Sequence, residues 1–260
     1  MCRFAAYLGP PARLSSLLYD APHSLEKQAY APREMVSGHV NVDGTGVAWW
    51  PDGEPHPLRY VSDRPPWSAP NLASLARRLA GSPLVAAVRS QTPGMAAGIG
   101  AAHPFVDGPW AGAHNGYLER FADVRFDLID RIDDETRRGL ETLTDSIILF
   151  LIAVTALRHG ATLTEAVVST AAGAAACCGA AGGAASLNLV LAAADEVVVL
   201  RAARGVAANS LYALEGGSRW PDGRLVASEP LDDDRAWQRV PENHVVRMTG
   251  DSLTIEAVSL

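Results

Sequence analysis

Cysteine is scarce in this chain: there are 3 in 260 residues, Cys2 and the adjacent pair Cys177 and Cys178. An odd count with two neighbours is a poor disulfide framework, which points to a reducing cytoplasm. Basic residues are also short, 22 Lys and Arg against 29 Asp and Glu, for a formal charge of -7. A nucleic-acid or anionic-membrane partner calls for a basic face, so neither is expected. The seven histidines, His23, His39, His56, His103, His114, His159 and His244, include no pair at the close spacing of metal ligands, so no metal site is expected. The start of the chain has no charged segment leading into a long apolar run, and no signal peptide is expected. The most apolar stretch, 171–200, is broken by Gly179, Gly182, Gly183, Asn188, Asp195 and Glu196, which argues against a membrane span.

What remains is a chain with 48% hydrophobic and 20% charged residues, long enough to bury a large core. Its first half reads as short strands between turn-rich loops: 3–8, 46–50, 84–89 and 110–114, with helical spacing over 71–79. Asn115-Gly116 closes the last of these strands as a turn signal. The middle is helical. Thr144 caps a helix running to about Arg158, and Thr162 or Thr164 opens an alanine-rich one to about Cys178. Strands return at 187–192 and 197–202, a hairpin, then at 207–214, 225–228, 244–249 and 253–258. Strands, helices, then strands again predict an α+β domain of two sheets covered by helices.

Met1-Cys2-Arg3-Phe4 opens the chain with a small residue behind the initiator methionine, a pattern that aminopeptidases trim. Trimming would place a thiol and a free α-amine on one residue. That amine has a reference pKa of about 7.7–8.0, so Cys2 would carry its own base.

Four further segments bear on Cys2: Asn41-Val42-Asp43-Gly44-Thr45-Gly46; Arg89-Ser90-Gln91-Thr92-Pro93-Gly94 with Ala102-His103-Pro104-Phe105; His114-Asn115-Gly116; and Thr144-Asp145-Ser146. Each has an ordinary structural explanation as a turn, a strand end or a helix start. In this order behind a penultimate cysteine, they resemble the class II glutamine amidotransferases of the N-terminal-nucleophile hydrolase superfamily. The resemblance implies a four-layer αββα sandwich of two mainly antiparallel sheets, with residues 1–260 forming one such domain. It implies Cys2 as nucleophile, with the Asn115 side-chain amide and the Gly116 backbone N–H as oxyanion donors. Arg89 and Asp145 would take the α-carboxylate and α-ammonium of a glutamyl group, and Thr92, His103 and His114 would line its pocket. Asn41, Asp43, Gly44 and Gly46 would shape the loop beside Cys2. Gln91 departs from the pattern, which has a small residue there. The chemistry calls for no cofactor.

Finer features resemble the γ-glutamyl amidases of ergothioneine biosynthesis within that family. They are Cys2-Arg3 leading to Ala6-Tyr7-Leu8-Gly9-Pro10-Pro11, Ala21-Pro22-His23-Ser24-Leu25, Leu143-Thr144-Asp145-Ser146, and Ala227-Ser228-Glu229-Pro230 continuing to Asp234. The implied reaction is hydrolysis of γ-glutamyl-hercynylcysteine sulfoxide, a small-molecule partner. The alternative is a glutaminase subunit delivering ammonia to a separate synthase. The leaving group's trimethylammonium would be held by aromatic faces or carboxylates, with Trp49, Trp50, Trp67 and Trp110 as candidates.

Overall fold

Strand β1 (Arg3–Leu8) is buried along its whole length, as a run of mostly apolar residues in a central strand should be. Its side chains divide by parity. Phe4, Ala6 and Leu8 join one apolar cluster, while Ala5 and Tyr7 join another on the opposite face. The computed structural model describes residues 2–36, 38–91, 95–140 and 142–260. The strands that follow are β2 (Ala12–Arg13), β3 (Thr45–Trp49), β4 (Leu58–Ser62), β5 (Ala80–Gly81), β6 (Leu84–Val88), β7 (Phe105–Asp107) and β8 (Trp110–Leu118). After the helical middle come β9 (Ala185–Ala192), β10 (Glu196–Arg204), β11 (Tyr212–Gly217), β12 (Trp220–Ala227), β13 (Gln238–Arg239), β14 (His244–Thr249) and β15 (Leu253–Ala257).

Two sheets make the frame, one in the order β13-β11-β12-β1-β6-β3-β4 and one in the order β15-β14-β10-β9-β8-β7, with β2 and β5 as a separate pair. The pairings described are antiparallel. Between the sheets, Phe4, Val85, Ala113, Val190, Val199 and Val226 interdigitate. Helices cover the outer faces: α1 (Leu25–Tyr30) and α2 (Leu72–Ala76) on the first sheet, then α3 (Phe121–Ile129), α4 (Asp134–Arg137), α5 (Asp145–Arg158) and α6 (Leu163–Ala180) on the side of the second. The result is the αββα sandwich, with one apolar layer between each pair of neighbouring sheets or helices.

Local chemistry sets the long helices. The Thr144 side chain accepts from Ile147 N at the start of α5. Thr162 and Glu165 form a reciprocal capping box at the start of α6, which selects Thr162 over Thr164. Helix α6 is long and apolar enough to cross a membrane by length and composition. Here its Ala166, Ala171 and Ala174 face pack against β9 and β10 as part of the core.

Three strand expectations change, and the first is that the strand expected over 225–228 begins at Trp220, where its early half pairs with β11. The strand expected over 110–114 continues to Leu118, so Asn115-Gly116 is not a turn. Asn115 pairs with Asn188 and Gly116 with Leu187, and this long-range ladder overrides the local turn preference. The strand expected from 207 begins instead at Tyr212, because 207–211 form a loop pinned by side chains of the second sheet. Helices α1 and α3 and strand β4 were not anticipated.

Candidate active site

Cys2 lies just before β1, on the parity that faces the second sheet, half-buried, with Sγ 3.8 Å from the Ser90 carbonyl. It lines a small cleft whose walls include Arg89, His103, Gly116, Asp145 and Ser146. Burial pushes the Cys2 thiol up, and the Arg89 guanidinium is among the charges opposing that shift. The five wall residues come from the end of β6, the loop before β7, β8 and the first turn of α5. The sandwich therefore gathers at one end segments that are far apart in sequence.

Arg89 is fixed by the segment between α1 and β3. Arg89 N donates to Gly44 O at 2.8 Å, and Asp43 N donates to Arg89 O at 3.0 Å. Asp43 Oδ2 accepts from Gln91 N at 2.8 Å. Gly46 has to be glycine, because a Cβ there would lie 2.2 Å from His103 O. Asn41 is buried and ties this segment to α1 through Gln28 O and Ala29 O. Arg89 Nη2 donates to Ala96 O at 2.7 Å, whereas its buried Nη1 has no acceptor among the described residues. A buried, unpaired guanidinium N–H beside a cleft is a ready donor for an anion. Gln91 Nε2 reaches Met95 O at 2.8 Å, so the unexpected glutamine braces the loop it begins. Thr92 lies outside the described residues, as does Met1.

Asp145 sits in the first turn of α5, where the helix dipole favours a carboxylate. Oδ2 accepts from Leu118 N at 3.1 Å and Oδ1 from Ser146 N at 2.8 Å, with Ser146 Oγ also 3.2 Å from Oδ1, which leaves lone-pair capacity for one more donor. Leu118 N points to Asp145 while Glu119 N pairs with Ala184 O across the gap to β9. Strand alternation then places the Gly116 N–H on the Asp145 side, off the ladder with β9 and beside the cleft. A Cβ on Gly116 would lie 1.8 Å from Ser186 O, so no side chain fits there.

Asn115 faces the first sheet and is fully buried. Its Nδ2 donates to Ser228 Oγ at 3.3 Å, and the same oxygen accepts from Phe4 N at 3.0 Å. Asn115 thus stands next to the start of β1, outside the residues that line the Cys2 cleft, and its second amide hydrogen has no partner among the described residues.

The two histidines differ. His103 lines the cleft, stacks edge-on against Phe105 and is kept neutral by burial, reinforced by His114, Arg89 and Arg59. His114 does not line the cleft. It stands one layer behind, with Nε2 at 3.1 Å from Ser186 O and Nδ1 at 3.0 Å from Ser146 Oγ. Burial depresses its pKa, and a neutral ring must donate from Nε2 to that carbonyl and accept at Nδ1. Its reach to the site is therefore through Ser146, a wall residue. The even positions of β8 face the helical layer, which is why His114 and Asn115 diverge.

Of the four tryptophans, Trp49 and Trp50 are buried in the sandwich, Trp110 packs beside the helical layer, and Trp67 is exposed against the edge of Tyr30. None lines the Cys2 cleft. Among the described residues, no group of three His, Cys, Asp or Glu side chains is placed to hold a metal.

The family model described as "Glutamine amidotransferases class-II" matches residues 18–207. The γ-glutamyl-hercynylcysteine sulfoxide hydrolase of Mycobacterium tuberculosis is 34% identical over 262 residues, covering 99% of this chain and 97% of the relative. The protein of that name from Mycolicibacterium smegmatis is 35% identical over 247 residues, covering 95% of each. Among solved structures, a glutamine aminotransferase class-II domain protein from Silicibacter pomeroyi superposes with a TM-score of 0.73 at 22% identity over 100% of both chains. An allosteric regulatory enzyme of purine biosynthesis superposes with a TM-score of 0.68 at 17% identity, and this chain spans 49% of it. The chain belongs to the class II glutamine amidotransferases.

Proposed function

We propose that the protein hydrolyses the γ-glutamyl amide of γ-glutamyl-hercynylcysteine sulfoxide, releasing glutamate and hercynylcysteine sulfoxide. The observation that carries this reading is the joint presence, in one cleft, of a thiol, a buried guanidinium N–H with no acceptor among the described residues and a carboxylate with spare capacity. The near-full-length likeness to two mycobacterial hydrolases of that name supports the substrate. The free thiols fit a reducing cytoplasm.

In this reading residues 1–260 act as one amidotransferase-type domain, and Met1 is removed so that Cys2 becomes the N-terminal residue. Arg89 Nη1 takes the substrate α-carboxylate and Asp145 takes the α-ammonium. His103 and Ser146 wall the pocket, and His114 orients Ser146 from behind. The Cys2 α-amine accepts the thiol proton as sulfur attacks the γ-carbonyl carbon. The oxygen's new charge is met by Asn115 Nδ2 and Gly116 N, neutral donors that stabilise charge present only in the tetrahedral intermediate. The intermediate expels the amine, which takes the relayed proton, and leaves a thioester on Cys2. Water then attacks the thioester and releases glutamate.

The test compares kcat/KM for γ-glutamyl-hercynylcysteine sulfoxide with that for free glutamine. A preference for the sulfoxide of about 10²-fold or more is expected, since only it fills the leaving-group side. Equal efficiency would favour the second reading, a glutaminase subunit serving a synthase.

A further inference from the structure

The amide of Asn115 has two faces, and only one of them is accounted for by the site. At the oxygen end of the Asn115 amide lies Asn209, in the loop between β10 and β11. Its Nδ2 donates to both the Asn115 backbone carbonyl and Asn115 Oδ1, each at 3.1 Å. Both residues are buried, Asn209 at 3% exposure and Asn115 at 0%. The two contacts use the two hydrogens of one amide group and grip Asn115 by main chain and side chain together.

Asn209 is itself held rigidly. Its carbonyl accepts from Arg201 Nε at 2.7 Å and from Asn188 Nδ2 at 3.2 Å. Arg201 also donates to Ala208 O and Val240 O, each at 3.1 Å, so three carbonyls share one buried guanidinium. Ser210 Oγ donates to Ser228 O at 2.8 Å, and Ser228 Oγ is the acceptor for Asn115 Nδ2. The loop therefore reaches the Asn115 amide from both ends.

A primary amide turned by half a circle presents oxygen where it presented nitrogen, with almost no change in shape. Facing a developing oxyanion, nitrogen stabilises and oxygen repels. The sense is decided by what the other end meets, and here that is the Asn209 donor. We propose that Asn209 is a positioning residue that fixes the Asn115 amide with its nitrogen toward the reacting carbonyl. This rests on the reading of Asn115 as an oxyanion donor.

The test is a double-mutant cycle on kcat with γ-glutamyl-hercynylcysteine sulfoxide, using Asn209→Ala, Asn115→Ala and the double variant. Active sites are titrated by thiol alkylation with a γ-glutamyl chloroketone, so that only folded molecules are counted. Asn209→Ala should lower kcat about ten-fold with KM changed less than about two-fold, and should cause no further loss in the Asn115→Ala background. Asn209→Asp keeps the shape but cannot donate to Oδ1, and should lose at least as much. An Asn209→Ala variant with wild-type kcat overturns the proposal, as does an equal loss in both backgrounds, which a merely structural role would give. If Asn115→Ala itself keeps wild-type kcat, the oxyanion reading falls and the proposal with it.

Discussion

Arg3 Nε donates to Glu229 Oε1 at 2.9 Å, with both side chains only 1% exposed. Arg3 Nη1 also donates to the Cys2 carbonyl at 3.1 Å, so the pair also holds the main chain at Cys2. Glu229 meets His23 Nε2 at 2.7 Å, Arg33 N at 2.8 Å and Glu34 N at 3.0 Å. It therefore joins β1, the segment before α1 and the segment after α1.

Burial alone would raise the Glu229 carboxyl, but His23, the two backbone amides and Arg3 outweigh it and hold it at about 2 instead of 4.5. A carboxylate with a lowered folded-state pKa contributes stability in full above its unfolded value and loses it as pH falls through the folded one. The contribution is thus present above pH 4.5 and gone by about pH 2. Glu229→Ala leaves the buried Arg3 unpaired and should cost about 3–5 kcal/mol in urea unfolding at pH 7. The variant should lack the part of the wild-type acid sensitivity that lies in that window. A loss under about 1 kcal/mol would show that the pair is not structural.

Asn115→Ala should lower kcat by about 10²–10³ with a smaller change in KM, because the lost donor acts on charge absent from the bound substrate. Steady-state kinetics checks this, and a change confined to KM would contradict it. Gly116→Ala should fail differently. Its methyl would lie 1.8 Å from Ser186 O, so β8 and β9 must part and thermal stability should fall together with activity.

Recognition of the acyl side should be strict. A glutaryl amide lacks the α-ammonium and leaves the Asp145 carboxylate unpaired, so its kcat/KM should fall by about 10²-fold or more. Arg89→Lys should not restore binding, since an ammonium cannot both donate to Ala96 O as Nη2 does and reach the substrate as Nη1 would. Similar rates for glutaryl and γ-glutamyl amides would remove Asp145 from this role.

The elements that the sequence displays best are those with local causes. Thr144 and Thr162 announce α5 and α6 because a cap is a contact within one turn. The unbroken apolar run of β1 marks a central strand. Asn115-Gly116 misleads for the opposite reason: its turn chemistry is local, while the Asn188 and Leu187 pairing that defeats it comes from more than 70 positions away. The same distance hides Asn209, whose partner Asn115 is 94 positions away and which carries no motif of its own. The burial of Trp49, on β3, and of Trp50, just past its end, comes from layers packed on both faces of the sheet and so has no local cause. Arg89, Asp145 and Gly116 could be named from the resemblance. That Arg89 Nη1 lacks an acceptor among the described residues needed coordinates.

The mechanism depends on Cys2 being both the nucleophile and the first residue of the working enzyme. With Met1 attached, the Cys2 nitrogen is an amide whose lone pair is delocalised, and no local base relays the thiol proton. Intact-mass and peptide mass spectrometry after treatment with a γ-glutamyl chloroketone reads both properties at once. One adduct per chain is expected, on a peptide that begins with Cys2 and lacks Met1, appearing in step with loss of activity. Protein blocked at its N-terminus by an uncleaved tag should stay nearly inactive until a site-specific protease exposes Cys2. Full activity in protein that retains Met1, or inactivation with the adduct on Cys177 or Cys178, would contradict the N-terminal-nucleophile account.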